Sequence, residues 1–198
     1  DYYRPFKEKK KTKASIAKAK GLEPFALSIL KLPREFHLEL EAQKYLTEEV
    51  LTIEDAIQGA KDIIAEQISD EARYRKYTKD MIYKTGLMTT HVKKKNPDED
   101  GVYQMYYEYQ EKVQYIASHR ILAINRAEKE KVLTVAIEID QERFMTYIYN
   151  GVMRKRESTL SELIMECVKD AFKRLIFPSV EREVRSELTE KAQEQALK

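Results

Sequence analysis

The side chains of this chain that could do chemistry are few and widely spaced. His37, His91 and His119 are its three histidines, and each falls in a different expected element. A metal centre needs such groups two to five residues apart or on one face, and no Cys/His spacing of that kind occurs. No metal site and no cofactor is therefore expected. Cys167, the single cysteine, sits among Leu163, Ile164, Val168 and Ala171 at helical spacing, which reads as core rather than nucleophile. Acidic pairs such as Glu48/Glu49 and Asp98/Asp100 belong to a total of 34 carboxylates, and without a pocket they imply no acid–base role. The sequence has no glycine-rich phosphate loop, no GxSxG and no HExxH. The expectation is a protein that is not an enzyme.

Two features point to binding instead. In PFKEKKKTK, the cations Lys9, Lys10, Lys11 and Lys13 crowd together just before a helix start. Such donors meet backbone phosphates without regard to sequence, and the contact weakens steeply with salt. The bland alternative is a solvated basic face. The second feature is Ser118-His119-Arg120 at an expected helix start. Ser118 reads as a cap, and Arg120 as a secondary phosphate contact if that terminus takes an anion. The plain structural reading, a cap plus hydrogen bonds to neighbouring segments, is the stronger one. Tyr103, Tyr106, Tyr107 and Tyr109 have the chemistry of a base-stacking platform, but aromatic residues at this spacing read as core.

The elements that must position these groups are mostly helices. Thr12 is an N-cap for a short helix that Gly21 stops, and Pro24 opens a second helix ended by Pro33. A further helix is expected over 35–49. Thr52 caps the clearest one, where Ile53, Ala56, Ile57, Ala60, Ile64 and Ile68 form one apolar stripe. Tyr74, Tyr77, Met81 and Ile82 mark the next. Residues 87–93 and 133–139 alternate and read as a two-stranded antiparallel ribbon, with KKKNPDEDG as an irregular loop. VYQMYYEYQ is read as a short helix. Phe144, Ile148 and Val152 mark another helix. Thr159 and Glu162 suggest a capping box for a helix broken by Pro178-Ser179, beyond which Val180, Val184, Leu188 and Ala192 start the last.

Composition agrees. Of 198 residues 42% are hydrophobic and 35% charged, with five Gly and five Pro, too few for a turn-rich β-sandwich. No apolar run approaches the ~20 residues that span a bilayer, so no membrane partner is expected. The one cysteine and the lack of a secretory signal fit a cytoplasmic location. Net charge is +2, but residues 1–20 carry a local +6, which leaves the remaining 178 at −4. The chain begins with Asp and ends inside a helical pattern, so it is expected to be an interior fragment.

The stretches PFKEKKKTKASIAKAKGLEPFA (5–26), AIQGAKDIIAEQIS (56–69), SHRILAINRAEKEKVL (118–133) and FPSVEREVRSELTEKA (177–192), in this order and spacing, resemble the bacterial Tex proteins, which are transcription accessory factors. The resemblance implies a mainly α, irregular helical assembly with helix-turn-helix-like packing. It implies a helical domain over 1–140 and a helical segment over 141–198 leading towards a ribonuclease-H-like domain outside this sequence. By the same resemblance, the fragment is a non-catalytic scaffold of a protein that binds RNA or DNA. The alternative is a scaffold docking on RNA polymerase or on its own C-terminal domains. Where the family pattern reads Pro before Ser-His-Arg, the chain has Ala117. Two family glycines are replaced by Ala127 and Lys131, the second in the turn before the 133–139 strand.

Overall fold

Thr12 begins the structured chain as its sequence dictates. In the computed structural model, which describes residues 11–198, its hydroxyl accepts from Ser15 N–H at 3.0 Å. Ser15 Oγ in turn accepts from Thr12 N–H at 2.8 Å. This reciprocal pair satisfies donors that the helix itself leaves open. Helix α1 (Lys13–Ala19) follows, and Gly21 at φ +85° turns the chain. Helix α2 (Glu23–Leu30) carries Pro24 in its first turn, where no N–H is missed.

The chain divides into two compact units. The first takes the described residues up to Glu71 together with Met145–Phe172. Its centre is α4 (Ile53–Ser69), capped by Thr52, whose hydroxyl accepts from Asp55 N–H at 3.0 Å. Of the expected stripe, Ile53 and Ile57 are only half-buried, while Gly59, Ile63 and Ala65 join it. Ala56, Gly59, Ala60, Ile63, Ile64, Ala65 and Ile68 are all buried, because α1, α2, α3 (Leu38–Gln43) and α8 (Ser161–Asp170) all pack on α4. Gly59 marks the closest approach: a Cβ there would lie 2.3 Å from Leu22 Cδ1 and 3.3 Å from Ala17 Cβ. Phe25 is fully buried and stacks on Tyr45 at 5.0 Å, and burying a ring of that size contributes roughly 1.5–3 kcal/mol.

The helix expected over 35–49 is only the six residues of α3, because Thr47 and Val50 exchange backbone hydrogen bonds in a turn (3.0 and 3.2 Å). Thr159 makes no capping box. Its hydroxyl accepts from Phe36 N–H at 3.1 Å, its own N–H reaches Arg34 O, and α8 starts at Ser161 without a side-chain cap.

The second unit comprises Ala72–Phe144 and Lys173–Lys198. Here the expected ribbon is a three-stranded antiparallel sheet in the order β2-β1-β3. Strands β1 (Leu87–Val92) and β3 (Leu133–Glu138) pair as the alternation predicts, with Val92 opposite Leu133. The third strand, β2 (Glu108–Lys112), takes the last three residues of the helix expected in the tyrosine-rich stretch, and the rest is turn with a 3-10 segment at Gln104–Tyr106. Helices α5 (Ala72–Thr85) and α6 (Ser118–Lys129) pack on α9 (Phe177–Ala196), and α6 also packs on β3. Glu181 of α9 accepts from Ile137 N–H at 2.8 Å, closing part of the β3 rim. Lys79 on α5 pairs with Glu183 at 2.7 Å and with Glu187, while the Tyr83 hydroxyl donates to Glu187 at 2.7 Å.

Helix α7 (Gln141–Met153) buries Phe144 and Ile148, two of its three predicted apolar positions. Pro178 does not break the backbone after α8. A π-helical segment, Ala171–Ile176, leads directly into α9, with Pro178 in its first turn. A π turn bonds five residues back rather than four, and a first-turn proline leaves no helical donor unmet.

Candidate nucleic-acid interface

Of the leading lysines, Lys9 and Lys10 lie outside the described residues. Lys11 and Lys13 are both exposed. Lys13 opens α1, which the Thr12 hydroxyl ties to α4 by donating to Glu66 Oε2 at 2.8 Å. Lys13 lines a cleft of about 260 Å³ with Glu49, Asp55 and Asp62. It also lines a second of about 160 Å³ with Asp62, Glu166 and Asp170. Carboxylates thus share both of its clefts, and Lys61 pairs with Glu166 there at 2.7 Å.

Arg120, in the second unit, is held from three sides. Its guanidinium lies 5.6 Å from the Tyr109 ring centroid, its Nε is 3.9 Å from Glu111 Oε1, and its Nη1 is 3.4 Å from Met105 Sδ. Burial pushes the Tyr109 hydroxyl up to about 12; its hydrogen bond to Glu111 adds to this and Arg120 opposes it. Ser118 is not the cap. Ala117 occupies that position without a side-chain bond, and the Ser118 hydroxyl donates to Gln195 on α9. A proline-like extended backbone survives at Ala117 (φ −75°, ψ 149°), so the change from the family pattern leaves the helix start intact.

The reactive groups do not converge. His37, before α3, His91 and His119 are all exposed, and among the described residues no three His, Cys, Asp or Glu could hold a metal ion. Cys167 is 1% exposed, and burial pushes its thiol up to about 12, which keeps it protonated and unreactive near neutral pH. Of the four tyrosines read as core, Tyr103 and Tyr106 are buried while Tyr107 and Tyr109 are half-buried. In the second unit a cleft of about 570 Å³ lies between α5, the β2–α6 connection and α9, lined in part by Tyr83, Lys84, Tyr115 and Lys191. No described helix is long and apolar enough to cross a membrane.

Sequence reasoning passed over one set of cations. Lys93, Lys94 and Lys95 leave β1 where Lys93 N–H bonds Val132 O, next to the end of α6 with Lys129 and the following turn with Lys131, and all five are exposed. The signal, a lysine triplet after a strand, is present in the sequence, but its partners lie some 35 positions further on.

This arrangement defines a helix-rich module with a small sheet, in which the described reactive groups do not converge. Residues 34–198 match the domain family described as Tex central region-like, and the chain belongs to the Tex family. It is 48% identical over its whole length to an uncharacterized Bacillus subtilis protein, YdcI, of which it covers 28%. It is 29% identical over its whole length to the transcriptional accessory protein Tex of Neisseria gonorrhoeae, covering 27% of that protein. With the human S1 RNA-binding domain-containing protein 1 it shares 30% identity over 98% of the chain and 21% of that protein. The chain therefore spans little more than a quarter of these relatives at most.

Proposed function

We propose that this chain is a non-catalytic helical scaffold within a Tex-type transcription accessory protein, and that it contacts RNA or DNA through phosphate-directed cations. The observation that carries the reading is the family match over residues 34–198, joined by relatives named for transcription and for RNA binding. Lys9, Lys10, Lys11 and Lys13 serve as phosphate contacts, with Arg120 secondary. The exposure of Lys11 and Lys13 supports this, whereas the contacts of Arg120 to Tyr109 and Glu111 make it the weaker member. The buried, protonated Cys167 supports a non-catalytic role. A cytoplasmic location goes with work on transcripts.

Docking on RNA polymerase through the outer faces of α7 and α9 would need an apolar surface there. The exposed positions are instead mainly polar: Glu142, Arg143 and Asn150 on α7, and Arg182, Glu183 and Glu190 on α9. Nucleic-acid contact is the better-supported reading.

Fluorescence anisotropy with labelled single-stranded RNA and duplex DNA, between 50 and 300 mM salt, tests it. Weak binding is expected, lost as salt rises, with the log–log slope reporting the number of phosphates neutralised. Tight binding indifferent to salt, or cleavage of either substrate, would overturn it.

A further inference from the structure

We infer that Lys93, Lys94, Lys95, Lys129 and Lys131 form one phosphodiester-binding patch at the end of the sheet, where the β1 exit meets the α6–β3 turn. This rests on the nucleic-acid reading above and names a site for it that the leading lysines do not include.

The sheet makes the patch. Val92 stands opposite Leu133 in the β1–β3 register, and Lys93 N–H donates to Val132 O at 2.9 Å, so pairing continues one step beyond the strands. Two lysine-bearing segments far apart in sequence are thereby held side by side. Like charges set across strands repel. None of the five side chains makes an ion pair with any described residue.

Three neighbouring carboxylates that could relieve the repulsion are turned to other partners. Asp98 accepts from Val102 N–H and Tyr103 N–H, both at 2.9 Å, and from the Tyr107 hydroxyl at 2.7 Å. Glu130 accepts from the Tyr103 hydroxyl at 2.8 Å. Glu128 takes a forked pair from Arg185. Asp98 and Glu130 keep their negative charge, because their partners are neutral, so with Glu99 and Asp100 the two segments hold four carboxylates against five lysines. What marks the site is that none of the lysines is paired with a described residue, not a large net charge.

Lys131 adds a second kind of observation. It closes α6 in a Schellman turn: its N–H reaches Glu128 O at 3.0 Å, and Val132 N–H reaches Ala127 O at 2.9 Å. Its φ is +66°, the left-handed position glycine occupies without strain, so a charged side chain is kept where the backbone disfavours one. Five flexible point charges over two exposed segments suit an extended polyanion better than a small phosphate.

The test compares the full chain with a glutamine variant (K93Q, K94Q, K95Q, K129Q, K131Q) and the matching five-arginine variant. Affinity for single-stranded RNA, duplex DNA and phosphatidylserine vesicles is measured between 50 and 300 mM salt. The expected result is at least a tenfold loss of RNA or DNA affinity for the glutamine variant at low salt. Its single-strand slope should flatten by up to about 3.5, from ~0.7 per lost phosphate contact, and the arginine variant should bind like the parent. Circular dichroism checks folding, and K94Q/K95Q alone, confined to the loop, should show a smaller loss of the same sign. If the parent binds and the glutamine variant matches it in affinity and slope, the patch is wrong while the nucleic-acid reading stands. If the parent binds neither RNA nor DNA, both fall. Stronger binding to vesicles than to RNA or DNA would reassign the patch to a membrane surface.

Discussion

Arg185 on α9 grips Glu128 on α6 through both terminal amines, at 3.0 and 2.9 Å, and its Nη2 also donates to Asn125 Oδ1 at 2.8 Å. Asn125 passes the connection back to α9 through Thr189 Oγ1, again at 2.8 Å. A forked guanidinium–carboxylate pair is among the stronger polar contacts, but Glu128 is 40% exposed and water screens part of it. Replacing Arg185 by Ala is expected to cost about 1–2 kcal/mol, and R185K should restore little, since an ammonium cannot fork. Urea titration should show a lower midpoint at unchanged slope. An unchanged midpoint would remove this contact from the account of how α6 and α9 hold together.

Gly59→Ala should destabilise the first unit although alanine is the better helix former by ~1 kcal/mol. The added carbon would sit 2.3 Å from Leu22 Cδ1, and Leu22, 1% exposed, has no solvent to move into. Overpacking of this kind costs ~1–3 kcal/mol, so after the propensity gain the balance is a loss of up to about 2 kcal/mol, and a larger one for Val. Thermal melting of both variants provides the measurement; a G59A protein at least as stable as the parent would mean that α1 can yield.

Glu187 gives the second unit a dependence on acid. The Lys79 ammonium bonded to it holds its carboxyl below the usual value, with the Tyr83 hydroxyl helping and partial burial opposing. In this state the folded chain binds fewer protons than the unfolded one. Its contribution is complete above the unfolded value of ~4.3 and is lost as pH falls through the lower folded value. Lys79 and Tyr83 are both raised, so their contributions are present below ~10 and fade above it. E187Q should therefore reduce stability at pH 7 and flatten its fall on the acid side, read as denaturation midpoints between pH 3 and 7. Parallel pH profiles for parent and variant would contradict this.

Lys131→Gly separates stability from binding. Relieving a left-handed lysine is worth ~1 kcal/mol, less some unfolded-state entropy, or up to about 2–4 °C in Tm for a chain of this size. Nucleic-acid affinity should move the other way, through loss of one phosphate contact. If stability and affinity rise together, the lysine is not there for its charge.

What the sequence revealed follows the range of each interaction. Thr12 and Thr52 were legible as caps because their partners lie three residues away. Thr159 carries the same signal, but its hydroxyl answers to Phe36, 123 positions distant. The β1–β3 pair was visible as alternation. Strand β2 was not, since Tyr103, Tyr106 and Tyr107 also fit one helical face and only the register with β1 decides between the two. Pro178 looked like a stop because helix rules assume four-residue spacing, and the π turns before it depart from that. For the binding surface, the leading lysines stood out as a run, whereas the sheet-end patch exists only once Val92 faces Leu133.

The shielded position of Cys167 has a practical corollary. With the only native thiol sealed in the helical interior, a single cysteine introduced at Lys94 would be the one group that a maleimide dye finds at neutral pH. The protein is in effect already prepared for site-directed labelling, and quenching or distance readouts can be taken from the sheet end without first stripping the background.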